Sequence, residues 1–235
     1  MKLMNASLRL IPLLSLALFS TAHADPTALP TEATKSVPAS SAKWEPDIRR
    51  FEDADHAHPP EKDAVLFVGS SSIVKWTSLE KDFAGTKVLN RGFGGSDLSD
   101  STAFASRIIA PYQPRLIFLY AGDNDLANGK TADTVFSEFQ DFVKTVRALL
   151  PKTRIGFIAI KPSPSRIALL PKVISANEMI KAAIAKDPSL FYVDIFTPML
   201  DKDKKPRPEL FTADMLHMNP QGYAIWKDCV MPLLK

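Results

Sequence analysis

A chain of 235 residues with 46% apolar side chains is long enough to bury one sizeable core, and nothing in it demands a second domain. Its 29 basic and 26 acidic residues leave a formal net charge of +3, which gives no electrostatic reason to expect nucleic acid or an anionic membrane as partner. The single cysteine, Cys229, excludes an internal disulfide and with it any disulfide-built scaffold.

The first 24 residues read as a secretory signal peptide. Lys2 and Arg9 give a positive n-region, Leu10–Ser20 (LIPLLSLALFS) a short apolar stretch, and Ala22-His23-Ala24 a small-x-small cleavage pattern. The apolar stretch is too short to cross a bilayer as a helix. The mature chain is therefore expected in the periplasm or outside the cell, with no stable membrane anchor once the signal is removed. Removal takes away two basic and no acidic residues, leaving 27 against 26. Residues 25–43 (DPTALPTEATKSVPASSAK) have no apolar period and read as a flexible tether. A single domain is expected over 44–235.

Before the first apolar run lies Asp53-Ala54-Asp55-His56-Ala57-His58-Pro59-Pro60, which reads as a solvated loop. Its two histidines lack the third convergent ligand that a first-row metal needs. Short apolar runs then recur at Ala64–Val68, Lys87–Leu89, Leu116–Tyr120, Ile155–Ile160 and Phe191–Ile195. They are nearly continuous in apolar character, as strands covered on both faces are. Between them, Thr134–Leu150 places Val135, Phe139, Phe142, Val143 and Val146 at helical spacing, and Pro151 stops it. Leu169–Ala185 is a second helical stretch with Pro171 in its first turn. Asn219-Pro220 starts a last helix that runs towards Leu234, with Asn as cap and Pro at the first helical position. This alternation predicts an α/β protein, a five-stranded parallel sheet between helical layers in a three-layer α/β/α sandwich.

Ligands of such sheets bind beyond the carboxyl ends of the strands. The residues there are Gly69-Ser70-Ser71-Ser72 after the first run, Asn90-Arg91-Gly92-Phe93-Gly94-Gly95-Ser96 after the second and Ala121-Gly122-Asp123-Asn124-Asp125 after the third. Phe93, Lys161, Pro162 and Arg166 also lie near strand ends and are candidates for lining a pocket. A serine nucleophile needs a base, a group that fixes the tautomer of that base, and donors for the oxyanion. The mature chain has three histidines: His56 and His58 lie in the Pro-rich polar stretch before the first strand, whereas His217 follows Asp214 by three residues and shortly precedes the Asn219 cap of the last helix.

These blocks resemble those of the SGNH hydrolases, also called GDSL esterases and lipases, from about Ala64 to the end of the chain. Phe67-Val68-Gly69-Ser70-Ser71 matches the first block, Gly92-Phe93-Gly94-Gly95-Ser96 the second, Gly122-Asp123-Asn124-Asp125 the third and Asp214-Met215-Leu216-His217 the last. Each is short, but four in order make a specific signal. The resemblance implies a flavodoxin-like SGNH fold, Ser71 as nucleophile, His217 as base and Asp214 as its partner. It further implies an oxyanion hole made of the Ser71 and Gly95 backbone N–H groups and the Asn124 side chain. One departure is visible: Ser70 stands where the family has an aspartate, so Ser71 is assigned by register from Gly69 within a run of three serines.

The implied activity is hydrolysis of small carboxylic esters, O-acetyl groups among them, without cofactor or metal, the partner being a small-molecule, glycan or lipid ester. No long apolar insert suggests a lid over a long acyl chain. Four other readings remain: a lysophospholipase or thioesterase of the same fold, a phosphate-binding flavodoxin-like protein, a metal phosphoesterase using Asp123, Asp125 and His217, and a non-catalytic sugar-binding module. The α/β-hydrolase elbow Gly-x-Ser-x-Gly is not satisfied, because position 73 is Ile73.

Overall fold

A computed structural model describes residues 38–234, so the expected signal peptide, and the expected tether up to residue 37, lie outside the described residues. The apolar runs form β1 (Val65–Gly69), β2 (Val88–Gly92), β3 (Leu116–Tyr120), β4 (Arg154–Ile158) and β5 (Leu190–Val193). They pair in parallel in the order β2-β1-β3-β4-β5. The helices are α1 (Glu45–Ala57), α2 (Ser71–Val74), α3 (Leu79–Asp82), α4 (Leu98–Ala103), α5 (Ala105–Ile108), α6 (Asp123–Ala127), α7 (Ala132–Leu149), α8 (Leu170–Ile184) and α9 (Pro220–Val230). No described helix is long and apolar enough to cross a membrane.

Successive side chains of a strand point to opposite faces, so each strand of a sandwiched sheet feeds two cores. Leu66, Val68, Ile117, Leu119, Ile155 and Phe157 meet Ile48 of α1, Leu98 of α4, Phe139, Phe142 and Val146 of α7, and Val173 and Ile180 of α8. Val65, Phe67, Phe118, Tyr120 and Val193 meet Ile73 of α2, Leu79 of α3, and Tyr223, Trp226 and Val230 of α9. These are the three layers of an α/β/α sandwich. The helical spacing along α7 is realised with Val135, Phe139, Phe142 and Val146 all buried.

Two parts of the N-terminal region differ from expectation. The stretch around His56 is not a loop: α1 runs through Ala57, with His56 in its last turn. The helix is polar, and what holds it is largely nonlocal. The Arg107 guanidinium clasps Glu45 at 2.7 Å and Glu52 at 2.6 Å, and Arg91 pairs with Asp55. The fold also begins before Trp44, so the tether expected over 25–43 does not reach that far. Ser41 is buried and its hydroxyl donates to Asp100 at 2.6 Å, while the Trp44 ring packs edge-on against Phe93 with centroids 5.9 Å apart. A short polar segment docked by one hydrogen bond and one ring has no apolar period to announce it.

β2 extends past its apolar run through Asn90, Arg91 and Gly92. At this sheet edge the polar residues are absorbed by specific partners: the Arg91 guanidinium lies 5.1 Å from the Phe51 ring centroid and 4.7 Å from that of Tyr112. The order of the strands matters for function. The chain leaves β1 for β2 on one side and returns to β3 on the other, which makes a topological switch point between β1 and β3. Ser71 follows β1, and Gly122 to Asn124 follow β3.

Candidate active site

β1 ends on Gly69, whose φ is +136°. A Cβ there would lie 1.8 Å from the Tyr120 carbonyl oxygen, so only glycine lets the ends of β1 and β3 approach this closely. Ser70 is extended and its N–H donates to the same Tyr120 oxygen at 3.0 Å. Ser71 then opens α2. The turn separates the three serines: Ser70 and Ser72 are 0% and 1% exposed, whereas Ser71 is half-buried. The Ser71 hydroxyl oxygen lies 2.9 Å from His217 Nε2.

His217 and Asp214 sit on a loop built mostly from its own short-range bonds. Met215 adopts the left-handed conformation, φ 56°. The Thr212 N–H donates to the His217 carbonyl at 2.8 Å and the Met215 N–H to that of Thr212 at 2.9 Å. Asp214 Oδ1 accepts from the Thr212 hydroxyl at 2.8 Å and from the Leu216 and His217 N–H groups at 2.9 Å each. Its Oδ2 lies 2.6 Å from His217 Nδ1. The His217 side chain, followed by these N–H groups and the Thr212 hydroxyl, holds the Asp214 carboxyl well below the usual carboxylate range. An ionised Asp214 can only accept, so Nδ1 carries the proton and Nε2 is left as the acceptor for the Ser71 hydroxyl. Asn219 anchors the far side: its Oδ1 caps α9 through the Gln221 and Gly222 N–H groups, and its Nδ2 donates to the Glu209 and Phe211 carbonyls.

Gly95 stands on the loop after β2 and Asn124 in the first turn of α6 after β3, on either side of β1. Gly95 has φ +79° and is exposed, and a Cβ there would lie 3.2 Å from the Trp44 ring. Asn124 is half-buried; its Nδ2 donates to the Ser96 carbonyl at 3.0 Å and its Oδ1 accepts from Arg166 Nη2 at 3.1 Å. Backbone N–H groups at the start of a helix have no intrahelical acceptor, which leaves that of Ser71, first in α2, free to face a ligand.

Beneath Asn124 lies a charged group that the sequence does not reveal. The Lys161 ammonium, 2% exposed as a residue, donates to Asp123 and, at 3.0 Å, to the Tyr120 hydroxyl. Arg166 Nη1 is 3.2 Å from the same Asp123 carboxylate. Burial alone would raise the Asp123 pKa, but the Lys161 and Arg166 charges outweigh it and hold the carboxyl below its ordinary value. Phe93, Lys161 and Pro162 are therefore not pocket-lining, since all three are buried. Of those candidates Arg166 alone reaches the site, through Asn124. Asp125 is likewise committed: fully buried, it accepts the Leu98 N–H at 3.0 Å and Lys130 Nζ at 2.8 Å. Asp123 and Asp125 thus hold lysine, arginine and backbone partners instead of converging with His217 as metal ligands. Two concavities of about 260 and 360 Å³ lie at the other end of the sheet, lined by residues such as Lys62, Arg115, Pro60 and Leu89, away from Ser71.

No curated protein matches the sequence closely enough to count. Among solved structures, a protein from Streptococcus pneumoniae described provisionally as a platelet activating factor is 19% identical with a TM-score of 0.74, over 83% of this chain and 94% of its own. A GDSL-like lipase from Bacteroides thetaiotaomicron is 21% identical with a TM-score of 0.69, over 80% and 96%. An acetyl-xylooligosaccharide esterase mutant from Geobacillus is 14% identical with a TM-score of 0.58, over 74% and 95%. At these identities the likeness is one of fold. Sequence supplies the assignment, because the profile of the GDSL-like Lipase/Acylhydrolase family matches residues 68–225, which include Ser71, Gly95, Asn124, Asp214 and His217. With well over half of its length matched, the chain belongs to the GDSL-like lipase/acylhydrolase family and is a serine hydrolase acting on ester bonds.

Proposed function

We propose that the protein is an exported esterase that removes small acyl groups, acetyl foremost, through a Ser71–His217–Asp214 triad. The observation that carries this reading is the unbroken line from Asp214 Oδ2 to His217 Nδ1 at 2.6 Å and from His217 Nε2 to Ser71 Oγ at 2.9 Å. Ser71 attacks the ester carbonyl while His217 takes its proton. The negative charge that forms on the carbonyl oxygen is met by the Ser71 and Gly95 N–H groups and by Asn124 Nδ2. Collapse of that intermediate breaks the bond to the alcohol, which leaves with the proton from His217. Water then attacks the acyl carbon as His217 removes its proton, and the bond to Ser71 Oγ breaks as His217 returns that proton to the serine, releasing the carboxylic acid.

Two features support a short acyl chain. The connection between β5 and α9, residues 194–219, has two short 3-10 turns, at Thr197–Met199 and Pro208–Leu210, and carries the charged sequence Asp201-Lys202-Asp203-Lys204-Lys205 with no long apolar insert. One protein of the same fold is an acetyl-xylooligosaccharide esterase. Export rests on the signal pattern ending at Ala24, and the mature chain is expected to begin at Asp25 by mass spectrometry. The decisive experiment is fluorophosphonate labelling with a p-nitrophenyl ester series. Wild type is labelled and cleaves acetate faster than octanoate or longer esters, and Ser71→Ala loses labelling and about 10⁶-fold in kcat. Labelling retained in Ser71→Ala overturns the nucleophile, and faster cleavage of long esters overturns the acyl preference.

A further inference from the structure

We propose that Arg166 is a positioning residue for the oxyanion site: it fixes the amide of Asn124 so that one Nδ2 hydrogen faces the reacting carbonyl. The proposal rests on the Ser71 mechanism above and adds a component to it. A primary amide has one acceptor oxygen and two N–H donors. In Asn124 the oxygen accepts from Arg166 Nη2 at 3.1 Å, and the nitrogen donates to the Ser96 carbonyl at 3.0 Å. These two bonds define the orientation. Rotating the amide by half a turn would set its oxygen against the Ser96 carbonyl and its NH₂ against the guanidinium, both repulsive. One bond to Nδ2 is used by Ser96, so one N–H remains for a ligand. A positive donor on Oδ1 also polarises the amide and makes that N–H a stronger donor.

Arg166 is itself held from two directions. Nη1 forms an ion pair with Asp123 Oδ2 at 3.2 Å without hydrogen-bond alignment, and Asp123 directly precedes Asn124 at the start of α6, so arginine and amide share one short frame. Asp123 already has a buried partner in Lys161, which donates to it and to Tyr120. A second cation is not needed to neutralise one carboxylate, yet Arg166 is there and turns the other arm of its fork to Asn124. The neighbouring residue ties the same segment to the base, since the Ser165 N–H donates to the Met215 carbonyl at 3.0 Å, two residues before His217. A planar fork can reach a carboxylate and an amide at once, which a lysine cannot do with fixed geometry.

The test compares Arg166→Ala, Arg166→Lys and Asn124→Ala with the Asn124→Ala/Arg166→Ala double variant, using p-nitrophenyl acetate. Arg166→Ala lowers kcat about 10- to 100-fold, less than removing an oxyanion donor outright, and leaves KM within about twofold. Guanidinium at millimolar concentration restores part of the lost kcat. In the double variant the loss of Arg166 adds less than about twofold, because the amide it positions is gone. Arg166→Lys keeps a cation beside Asp123 and melts within a few degrees of wild type, but its kcat stays low, so the result does not depend on how well the alanine variant folds. The proposal is overturned if kcat of Arg166→Lys and Arg166→Ala stays within about threefold of wild type, if the loss falls on KM alone, or if it adds fully to that of Asn124→Ala. Full activity in Ser71→Ala, by contrast, would sink the underlying mechanism.

Discussion

The two halves of the triad are held in different ways. Ser71 stands on a turn fixed by contacts across the sheet: Gly69 has no room for a Cβ against Tyr120, and the Ser70 N–H donates to a carbonyl fifty residues on. Asp214 and His217 stand on a loop whose bonds run mostly within residues 209–222, and the Asp214 side chain is 47% exposed. Rigid backing on the nucleophile and local, half-solvated backing on the base imply different responses to substitution. Damage beside Ser71 should cost the fold, and damage beside His217 should cost the chemistry first.

The largest effect on activity alone is expected on the local side. In Asp214→Asn, Oδ1 can still accept from Thr212, Leu216 and His217, so the loop keeps its shape. The new NH₂ faces His217 Nδ1 and forces that nitrogen to accept, which puts the proton on Nε2, pointing at Ser71. The wrong tautomer should lower kcat about 10⁴-fold while the variant stays folded, with a modest drop in melting temperature. The variant also separates the pH behaviour. Because the native Asp214 carboxyl is held below its unfolded value of about 3.9, the stability it adds is present above that pH and is lost as pH falls below it. Wild type should therefore be more stable than Asp214→Asn above about pH 4, and the gap should close as pH falls further. A gap that does not shrink below about pH 4 contradicts the ionised acid.

Gly69→Ala makes the opposite test. At φ +136°, with the Tyr120 oxygen 1.8 Å from the added methyl, β1 and β3 must separate at the switch point. A loss of about 4 kcal/mol or more is expected, in the range that marks a named steric cause. Thermal unfolding reads it directly; a melting temperature within about 3 °C of wild type would show that the nucleophile turn is not the rigid half.

The same contrast explains what was legible in the sequence. Asp214 and His217 lie three residues apart and act on each other, and their place just before the Asn219 cap sets them apart from the same spacing at Asp53-His56 and Asp55-His58. β1, β3 and α7 were legible for a similar reason, since each is a continuous or periodic apolar pattern that its own residues define. Ser71 was readable only by counting from Gly69, because what singles it out from Ser70 and Ser72 is the turn set by Tyr120. Arg166 joins Asn124 across 42 residues and Lys161 joins Asp123 across 38, and no local pattern encodes either pair. The docking of Ser41 and the clasp of α1 by Arg107 share that character, which is why the polar helix has the sequence pattern of a loop and its approach that of a tether. β2 escaped past Leu89 because Asn90 and Arg91 pair with particular neighbours instead of following an apolar run.

Asn219 lies where the two kinds of support meet, and it gives the smallest and most discriminating effect. Its Oδ1 caps α9, whose Trp226 and Val230 belong to the core, and its Nδ2 ties the Glu209 and Phe211 carbonyls on the approach to His217. Asn219→Ala removes both and should cost about 1–2 kcal/mol, mostly as a lost cap. Asn219→Ser restores an oxygen to the cap but has no amide to reach the two carbonyls, so its stability should lie within about 0.5 kcal/mol of wild type. If the loop positions His217 through these bonds, the serine variant folds as wild type does yet loses about tenfold in kcat. Full activity in Asn219→Ser would mean that the bonds around Asp214 suffice to aim the base, and that the local half of the triad needs nothing from α9.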